Sequence, residues 1–455
     1  MGIGGIGMSA LARLFNVQGY KVFGYDKTAS PLIMQLKQEG ISIYCDDALD
    51  AIPEIICKNR TNTLVIYTPA IPLNNAMVNY FKANGYKIQS RAEILGEISN
   101  AFPTIAIAGT HGKTTTTAMI AHILYQGRLP MLAFVGGIMN QYETNLLHNS
   151  SLSQVKLIVT EADEFNRSFL QLAPTYSLIT SVDIDHPETY QTPALMQESF
   201  VQFIQQTKQT LVIQHSVADT LQIARFYSSP YLTYGLHAGD ILAQRLHVEP
   251  HQSTFDYLGC SEKITDIVLP IPGFYNIENA LAAITICLKM GVSHTQIRSS
   301  IACFPGIKRR FAYVFKSDQC VLIDDYAHHP VEVAALLTSV RKVYPNSLIT
   351  AIFQPHLFSR TWRLYEAFAT SLSLADQVFL LPIYPAREEP IPGVTSKLIF
   401  DKLTYNKKTL INMDQLPSIL NLFNTTDHRV VITIGAGDIG EAVPAIAEDL
   451  KKIFE

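Results

Sequence analysis

The sequence predicts an α/β protein of three domains, which span residues 1–101, 102–305 and 306–455. Its 455 residues are too many for a single hydrophobic core, and a typical size of about 150 residues per domain favours three. Short apolar runs alternate with helical stretches, which is typical of parallel sheets covered by helices. Two glycine-rich turns each open a predicted helix, and this arrangement indicates binding of nucleotide phosphates.

Composition and charge narrow the possible partners. A net charge of −4 argues against a general nucleic-acid binder or a protein of anionic membrane surfaces, and a small anionic ligand fits better. The six cysteines form no C-x-x-C pair, which predicts reduced thiols rather than a zinc site or a disulfide framework. No apolar stretch is long enough to span a bilayer, and no basic segment precedes an apolar one at the amino terminus. We expect a cytoplasmic protein without stable membrane association, either a monomer or a homodimer.

The first domain begins with the glycine motif GIGGIG, residues 2–7, which precedes a helical stretch at 8–18 and a strand at 21–25 that ends in Asp26. Glycines that open a helix, followed by an acidic residue about 20 positions later, are the fingerprint of a nucleotide-binding βαβ unit in which the acid contacts a ribose. Such a unit has a strand before its first glycine. We therefore expect either that the true start lies upstream of Met1 or that this domain lacks a central strand.

Two further positions of the first domain follow predicted strands. Thr68 comes directly after a strand predicted over residues 63–67, and Arg91 follows a third short apolar stretch. Ligands of doubly wound sheets bind at the ends of such strands, so we expect both side chains near a ligand.

The second domain opens on the most informative motif of the chain, GTHGKT at residues 109–114, directly after an apolar strand at 104–108. In this context backbone N–H groups converge on a phosphate, and the helix dipole favours its negative charge. Lys113 is expected to reach the β- and γ-phosphates of ATP, while the Thr114 hydroxyl ligates Mg²⁺. Ile107 stands where the general pattern has its first glycine, so the loop is a compact form of the motif. The alternative is a plain glycine turn with a solvated lysine.

Two more strands of the second domain, predicted over residues 157–160 and 176–181, end in acidic or metal-binding residues. Glu161 closes the first of them, and Mg²⁺ prefers hard oxygen ligands together with phosphate oxygens, so Thr114 and Glu161 are candidate ligands. His186 follows the second strand. It is expected to bind a second cation or the transferred phosphate, whereas the alternative for a lone histidine is a structural role.

The end of the second domain and the start of the third carry two residue pairs. Asn276 and Asn279 are one helical turn apart just before a helix predicted over residues 280–290, so their amides either face one ligand or cap the helix. Arg309 and Arg310 lie at a predicted domain junction. They either stabilise phosphoryl charge or form a basic surface pair.

The third domain repeats the α/β pattern, with strands predicted over residues 320–323, 348–353, 378–381 and 430–434. The motif DDYAHHP at residues 324–330 follows the first of these strands. It offers carboxylates for a ribose or an ammonium group and an imidazole for proton transfer.

Taken in order, these motifs resemble the Mur ligases over essentially the whole chain. The matching segments are GIGGIGMSALA at residues 2–12, GTHGKTTT at 109–116, EADEFNRSFL at 161–170, the Asn276 and Asn279 pair, KRRF at 308–311, DDYAHHP at 324–330 and FQPHLFSRT at 353–361. The resemblance implies a Rossmann-like UDP-sugar-binding domain, a central P-loop ATP-binding domain with a mostly parallel sheet, and a Rossmann-like ligase domain at the carboxyl terminus.

The resemblance also implies a reaction. ATP phosphorylates the carboxylate of UDP-N-acetylmuramate, the amine of L-alanine attacks the acyl phosphate, and an amide forms during synthesis of the peptidoglycan precursor. The implied cofactors are ATP and Mg²⁺. Two alternatives remain: a ligase of the same family that recycles a tripeptide onto the same sugar nucleotide, and a catalytically impaired nucleotide-binding homologue.

The family's functional residues transfer onto matching positions of this chain. The implied catalytic residues are Lys113, Glu161, His186, Arg310, Asp325 and His329. Those implied to bind ATP are Gly109, Thr110, His111, Gly112, Lys113, Thr114, Thr115, Asn276, Asn279, Arg310 and Asp325. Metal ligation falls to Thr114, Glu161 and His186. The residues on the UDP-sugar side are Gly4, Gly5, Gly7, Asp26, Ser30, Thr68, Arg91, Glu164 and Ser168. Those on the amino-acid side are His328, His329, His356 and Arg360.

The chain departs from the family pattern at three places. The family begins with a strand before its first glycines, and that strand is missing here. Asn166 stands where the family usually has an aspartate, and Pro187 and Glu188 replace a leucine and an aspartate. These changes bear on the surroundings of the second metal and on substrate contacts. They leave Lys113 and Glu161 untouched.

Overall fold

The computed structural model describes residues 1–46, 48–72, 74–186, 189–386, 388–404, 407–421 and 423–454. Its helices are, in chain order, α1 (Ile6–Val17), α2 (Pro31–Gln38), α3 (Glu54–Lys58), α4 (Ala76–Ala83), α5 (Arg91–Ala101), α6 (Lys113–Gln126), α7 (Pro193–Gln205), α8 (His215–Leu221), α9 (Phe274–Lys289), α10 (His294–Ala302), α11 (Pro330–Val343), α12 (Phe358–Leu372), α13 (Lys397–Lys402), α14 (Leu416–Leu420) and α15 (Ile439–Phe454).

The strands are β1 (Phe23–Tyr25), β2 (Ser42–Tyr44), β3 (Leu64–Tyr67), β4 (Lys87–Ser90), β5 (Thr104–Ala108), β6 (Met131–Met139), β7 (Thr144–His148), β8 (Leu157–Ala162), β9 (Tyr176–Ile179), β10 (Thr210–Gln214), β11 (Tyr231–Gly235), β12 (Ile241–Glu249), β13 (Gln252–Leu258), β14 (Lys263–Leu269), β15 (Ala312–Lys316), β16 (Cys320–Asp325), β17 (Leu348–Phe353), β18 (Gln377–Leu380), β19 (Lys408–Leu410) and β20 (Arg429–Ile434).

The chain forms two compact units. The first comprises Met1–Leu242, Gly259–Ser261 and Asn279–Ser300, and the second comprises Ala243–Leu258, Glu262–Glu278 and Ile301–Glu455.

The first unit is built around a sheet with the strand order β11-β10-β9-β5-β8-β6-β7. Neighbouring strands are parallel except for β6 and β7, which form an antiparallel pair. β5 lies in the interior of this sheet and all five of its residues are buried, as expected for a parallel strand covered on both faces. Helix α6 follows β5 and is buried from Thr114 to Leu124, so the helix after the glycine loop belongs to the core.

The amino-terminal part of the first unit contains two parallel pairs, β1 with β2 and β3 with β4, in separate sheets. The first residues of the chain lie between them: the Met1 amino group donates to the Ile66 carbonyl, and the amides of Gly2 and Ile3 donate to the Tyr25 carbonyl at 2.7 and 3.1 Å. Among the described residues, no strand precedes the glycine motif.

The second unit contains a six-stranded sheet with the order β15-β16-β20-β17-β18-β19, parallel except for the pair of β15 and β16. Alternate residues of β16 enter different cores, because side chains of a strand point to opposite faces. Val321 and Ile323 join the apolar cluster on the side of α11 and α12, whereas Cys320 and Leu322 join the cluster on the side of α15. Both faces are therefore covered, as in a doubly wound domain.

The predicted α/β class and the mostly parallel central sheet are confirmed. Several elements at the motifs are longer than expected. Helix α9 begins at Phe274 rather than at 280, so Asn276 and Asn279 lie inside its first turns, and β16 continues through Asp325. Strand β8 continues through Ala162, so Glu161 lies inside the strand rather than after it. In each place polar residues extend an element of which only the apolar part was predicted from the sequence.

An aromatic cluster packs beneath the segment that follows β8. The rings of Phe169 and Phe203 stack at 5.0 Å between centroids, and Phe200 meets Phe169 edge-on at 5.2 Å. Phe203 is fully buried. Aromatic pairs add directional contacts to the apolar area that they bury, so this cluster anchors the segment to α7.

We predict that Phe203→Ala lowers the free energy of unfolding by about 3–5 kcal/mol, because it leaves a cavity in this cluster. Urea unfolding followed by circular dichroism measures the change. Val17→Ala is the control, because Val17 is 61% exposed and its truncation is expected to change stability by less than about 0.5 kcal/mol. Equal effects of the two substitutions would contradict the prediction.

Candidate nucleotide and substrate site

The loop between β5 and α6 has a backbone that requires glycine at two positions. Gly109 has φ +136° and Gly112, the residue before the helix, has φ +81°. A Cβ atom at Gly109 would lie 2.1 Å from Thr180 Oγ1, and one at Gly112 would lie 2.6 Å from Asn279 Oδ1. Both backbone conformation and lack of space therefore exclude a side chain.

The loop is held by the chain that follows β9. The amides of Thr110 and His111 donate to the Ser181 carbonyl at 3.1 Å and to Ser181 Oγ at 2.8 Å, and the Thr110 hydroxyl donates to the Asp183 carbonyl at 3.0 Å. These two amides stabilise the loop itself. Contacts of Thr110 and His111 with a nucleotide stay predictions. The first N–H groups of α6 have no intrahelical partner and are the natural phosphate donors here.

Lys113 begins α6 and is paired with Glu164. Its Nζ lies 2.7 and 3.0 Å from the two Glu164 carboxylate oxygens and 2.5 Å from the Gly109 carbonyl. Burial lowers the pKa of Lys113, whereas the carboxylates of Glu164 and Asp163 raise it, and the net result is a raised pKa. Lys113 is therefore a firmly protonated cation at the loop. The family resemblance implies a place for Glu164 on the sugar side, and in the structure its carboxylate contacts Lys113.

Glu161 lies beside the loop. β5 and β8 pair in parallel with Ile107 opposite Glu161, and the Gly136 amide donates to Glu161 Oε1 at 2.6 Å. The pairing of β6 with β7 is irregular between Phe134 and Met139, and Gly136 lies in that interval. A Cβ atom at Gly136 would lie 2.4 Å from Glu161 Oε2, so glycine leaves the space that the carboxylate occupies.

The described residues contain no group of three or more His, Cys, Asp or Glu side chains arranged as a metal site. Mg²⁺ bound with a nucleotide needs only one or two protein oxygens, because phosphate and water oxygens complete its shell. Glu161 and the buried Thr114 at the start of α6 supply oxygens of that kind. The donor set thus fits a nucleotide-bound Mg²⁺.

His186 lies in a turn that Tyr190 connects to the acidic segment, residues 161–164. The Tyr190 amide donates to the His186 carbonyl at 2.9 Å, and the Tyr190 hydroxyl donates to the Glu164 carbonyl at 2.7 Å. His186 has φ +53°, and its amide donates to Asp185 Oδ1 at 2.8 Å. Tyr190 therefore fixes two predicted site segments together, although nothing in the sequence singled it out.

One departure from the family pattern, Asn166, contacts the residue that precedes Tyr190. Asn166 adopts φ +52°, a left-handed conformation that asparagine tolerates better than most residues, and its amide donates to Thr189 Oγ1 at 3.2 Å. Pro187 and Glu188 lie outside the described residues.

The first glycine motif is tied to its acidic residue and to Arg91. The Gly4 amide donates to Asp26 Oδ2 at 2.8 Å. A Cβ atom at Gly7 would lie 2.5 Å from Arg91 Nη1, and Arg91 forms an ion pair with Asp163 at 3.7 Å. Arg91 thus spans from the glycine motif to the acidic segment, which brings two predicted groups of site residues together.

Other residues predicted on the sugar side have local roles. Gly5 is the residue before α1, and the Ser30 hydroxyl caps α2 by accepting from the Ile33 amide. The Ser168 hydroxyl donates to the Asp163 carbonyl at 2.8 Å, and the Thr68 side chain lies against Gly2. Their contacts with a sugar nucleotide stay predictions.

A buried clamp that the sequence did not reveal holds α1 to β7. Asn145 is fully buried, and its side-chain Nδ2 donates to the Ile6 carbonyl at 2.5 Å and to Ser9 Oγ at 2.9 Å. Arg13 donates to Asn145 Oδ1 and pairs with Glu39 at 2.7 Å. The helix that opens at the glycine motif is therefore fixed to the sheet that carries the phosphate loop. An isolated asparagine in a strand gives no sequence signal for such a role.

The two predicted asparagines have different surroundings. Asn279 is buried beside Gly112, and its Oδ1 accepts from the Thr116 hydroxyl at 3.3 Å. Asn276 is also buried, and its side-chain amide donates to the Pro272 carbonyl at 2.7 Å, a contact at the start of α9. Asn279, a residue of α9, therefore packs against the phosphate loop.

In the second unit, the carboxyl end of β16 carries two buried carboxylates. Asp325 accepts from the amides of Phe311 and Ala327 at 2.7 and 2.8 Å, and burial raises its pKa to about 6, partly offset by Arg310. Asp324 accepts from Arg309 Nε at 3.3 Å, and burial raises its pKa as well.

The two arginines differ in their partners. Arg309 also donates to the carbonyls of Gly435 and Gly437, so it closes the loop after β20. The guanidinium groups of Arg309 and Arg310 both lie 5.1 Å from the ring centre of Tyr326, within cation–π range. Within the described part of the chain, Arg309 makes these hydrogen bonds to the loop after β20 and Arg310 does not.

The residues predicted on the amino-acid side cluster at one edge of the same sheet. The rings of His328 and His356 lie 6.0 Å apart, Arg360 Nη1 is 3.4 Å from His356 Nδ1, and Tyr384 stacks on His356 at 5.7 Å. His329 begins α11 as its cap, where its Nδ1 accepts from the Val331 amide. The cluster combines imidazole, guanidinium and phenol groups, and its contact with an amino acid stays a prediction.

A buried strand, a glycine loop, a lysine and a helix start in this arrangement define a nucleotide-binding protein of the P-loop class. Three family profiles match the chain in order: the Mur ligase family catalytic domain over residues 1–103, the Mur ligase middle domain over 107–287 and the Mur ligase glutamate ligase domain over 309–437.

Relatives match over the full length. The chain is 42% identical over 455 residues to the UDP-N-acetylmuramate–L-alanine ligase of Porphyromonas gingivalis, covering 100% of this chain and 98% of that protein. It is 42% identical over 456 residues to the protein of the same name from Flavobacterium johnsoniae, with coverage of 99% and 97%. The crystal structure of the UDP-N-acetylmuramate–alanine ligase of Thermotoga maritima has a TM-score of 0.82 at 27% identity, with coverage of 99% and 98%. The chain belongs to the Mur ligase family.

No helix among the described residues is long and apolar enough to cross a membrane.

We predict that Gly136→Ala raises the Mg²⁺ concentration needed for half-maximal nucleotide turnover by about 10–100-fold. This is the usual loss of metal affinity when a group that orients a metal ligand is disturbed. The added methyl group would occupy the place of the Glu161 carboxylate. Phosphate release measured against Mg²⁺ concentration gives the change. Gly127→Ala is the matched control, because Gly127 has φ −72° and a Cβ there would lie no closer than 3.3 Å to the Ile123 carbonyl. Unchanged Mg²⁺ dependence in Gly136→Ala would refute the role of Gly136.

We predict that Asp325 makes stability depend on pH. The pKa of Asp325 rises from an ordinary 3.8 to about 6 on folding, so the folded state binds the proton more tightly. The resulting stabilisation is fully present below pH 3.8 and is lost as pH rises through 6, a change of ~3 kcal/mol. Urea unfolding of the wild type and of Asp325→Asn at pH 4 and pH 7 measures it. Asp414→Asn is the control for loss of a carboxylate, because Asp414 is exposed. If wild type and Asp325→Asn differ in free energy of unfolding by the same amount at pH 4 and at pH 7, the prediction is wrong.

Proposed function

We propose that this chain joins L-alanine to the carboxylate of UDP-N-acetylmuramate in a reaction driven by ATP, in the synthesis of the peptidoglycan precursor. The observation that carries the proposal is the full-length identity of 42% to relatives named for that reaction, in a chain that keeps Lys113 and Glu161 beside one glycine loop. The proposed place of the reaction is the cytoplasm, and the chain acts as a monomer or a homodimer.

In the proposed reaction the sugar carboxylate attacks the γ-phosphorus of ATP, ADP leaves, and an acyl phosphate forms. The amine of L-alanine then attacks the acyl carbon and loses a proton, and inorganic phosphate leaves. The protein provides no covalent intermediate of its own. Its contribution is to position the reactants and to stabilise charge as it moves between oxygens.

The residues around the loop account for the nucleotide end of the reaction. The amides at the start of α6 and the Lys113 ammonium group offset the charge of the β- and γ-phosphates. Thr114 and Glu161 would hold Mg²⁺, with His186 as a candidate ligand of a second cation. The metal would supply charge neutralisation on the phosphate oxygens.

The remaining residues are assigned to the other substrates. Gly4, Gly7 and Arg91 form one connected group around the first glycine motif, which suits the diphosphate of a sugar nucleotide. In the second unit, Arg360 near His356 offers a cation for the carboxylate of L-alanine.

The proposal is tested by phosphate release from purified protein with UDP-N-acetylmuramate, ATP and L-alanine. We expect turnover that requires all three and that Lys113→Ala abolishes, because it loses the charge-assisted phosphate contact. Turnover with L-alanyl-γ-D-glutamyl-diaminopimelate in place of alanine would instead identify a recycling ligase. Nucleotide binding without turnover of either substrate would identify an impaired homologue.

A further inference from the structure

Lys113 is fully engaged by the protein in this structure. An ammonium group has three N–H donors, and here they face the Gly109 carbonyl at 2.5 Å, the Thr110 carbonyl at 3.4 Å and the Glu164 carboxylate at 2.7 and 3.0 Å. A nucleotide phosphate that recruits Lys113 must therefore displace some of these acceptors.

The buried carboxylate of Glu164 depends on its ion pair with Lys113, whereas the other carboxylates of the acidic segment have other partners. Glu164 is 1% exposed, and a buried carboxylate is costly unless a cation or several donors compensate it. Asp163 faces Arg91 at 3.7 Å, and Glu161 accepts from the Gly136 amide. The three carboxylates thus have three different partners, and that of Glu164 is Lys113.

The backbone of Glu164 is fixed as well. Its carbonyl accepts from the Tyr190 hydroxyl at 2.7 Å and from the Arg167 amide at 2.9 Å. Tyr190 is itself buried, so the backbone of Glu164 stays in place when Lys113 moves toward a ligand. Moving Lys113 onto a phosphate leaves Glu164 as a buried charge with a weakened partner.

We propose that Glu164 is a positioning residue that holds Lys113 against the loop while no nucleotide is bound and competes with the β- and γ-phosphates for it. This inference rests on the proposed function, because it takes the loop to bind ATP. The competition lowers the affinity for every nucleotide that carries a β-phosphate. It leaves nucleotides that end at the α-phosphate unaffected.

The test is the affinity of Glu164→Gln for ADP and for AMP, measured by calorimetry on the full chain with Mg²⁺ and without the other substrates. Glutamine keeps the shape of the side chain but not its charge. We expect ADP to bind about tenfold more tightly, which corresponds to ~1.4 kcal/mol, while AMP affinity stays within twofold. A damaged fold would weaken both nucleotides, so tighter binding of one is a result that misfolding cannot produce.

Two further variants sharpen the comparison. Asp163→Asn removes a carboxylate from the same segment. Asp163 forms its ion pair with Arg91 and acts on Lys113 through its charge, without the direct contacts that Glu164 makes, so its effect on ADP affinity is expected to be smaller than that of Glu164→Gln. Glu164→Asp keeps the charge and shortens its reach to Lys113. It is expected to tighten ADP binding in the same direction by a smaller factor, and it serves as the readout if Glu164→Gln does not fold.

The outcomes separate this inference from the proposed function. Wild-type protein that binds no ADP overturns the proposed function and this inference with it. Wild-type protein that binds ADP, with Glu164→Gln binding it equally or more weakly, overturns only the role of Glu164. A raised KM for UDP-N-acetylmuramate with unchanged ADP affinity would likewise overturn it and return Glu164 to the sugar side.

Discussion

The site depends on the parallel pairing of β5 between β8 and β9. Because these strands run in one direction, their carboxyl ends meet at one edge of the sheet, and the chain segments that leave them are brought together there. The register places Glu161 opposite Ile107 and Ile179 opposite Ala108, so the residues that follow β9 reach the loop backbone directly. A slip of one residue would turn Glu161 to the other face of the sheet and remove it from the loop.

At this edge of the sheet, charged side chains of the candidate site form ion pairs with one another. The Glu164 side chain is 1% exposed and that of Lys113 is 14% exposed, so the lysine compensates a buried carboxylate. Asp163 and Arg91 form a second, longer ion pair closer to the first glycine motif, in which the Asp163 side chain is 38% exposed. A site for a highly charged ligand is thus assembled with its own charges already balanced, and ligand binding must exchange one set of partners for another.

The second unit also gathers charged residues at the carboxyl ends of parallel strands. The ends of β16 and β20 lie side by side, and Asp324, Asp325 and the arginines that follow residue 308 meet there. Backbone amides of Phe311 and Ala327 stabilise the Asp325 carboxylate, while burial opposes its charge. His329 shows that a motif residue can serve local structure, because its ring caps α11.

The sequence by itself determined the α/β class, most strands around the site and the strand, loop and helix that surround Lys113. These features depend on apolar runs, glycines and their spacing, which act over a few neighbouring residues. It did not reveal the partner of Glu164, the donor to Glu161 from Gly136, or the clamp at Asn145. Those contacts join residues 25 to 139 positions apart, and only the folded chain decides them, because a buried polar group takes whichever partner the packing brings within reach.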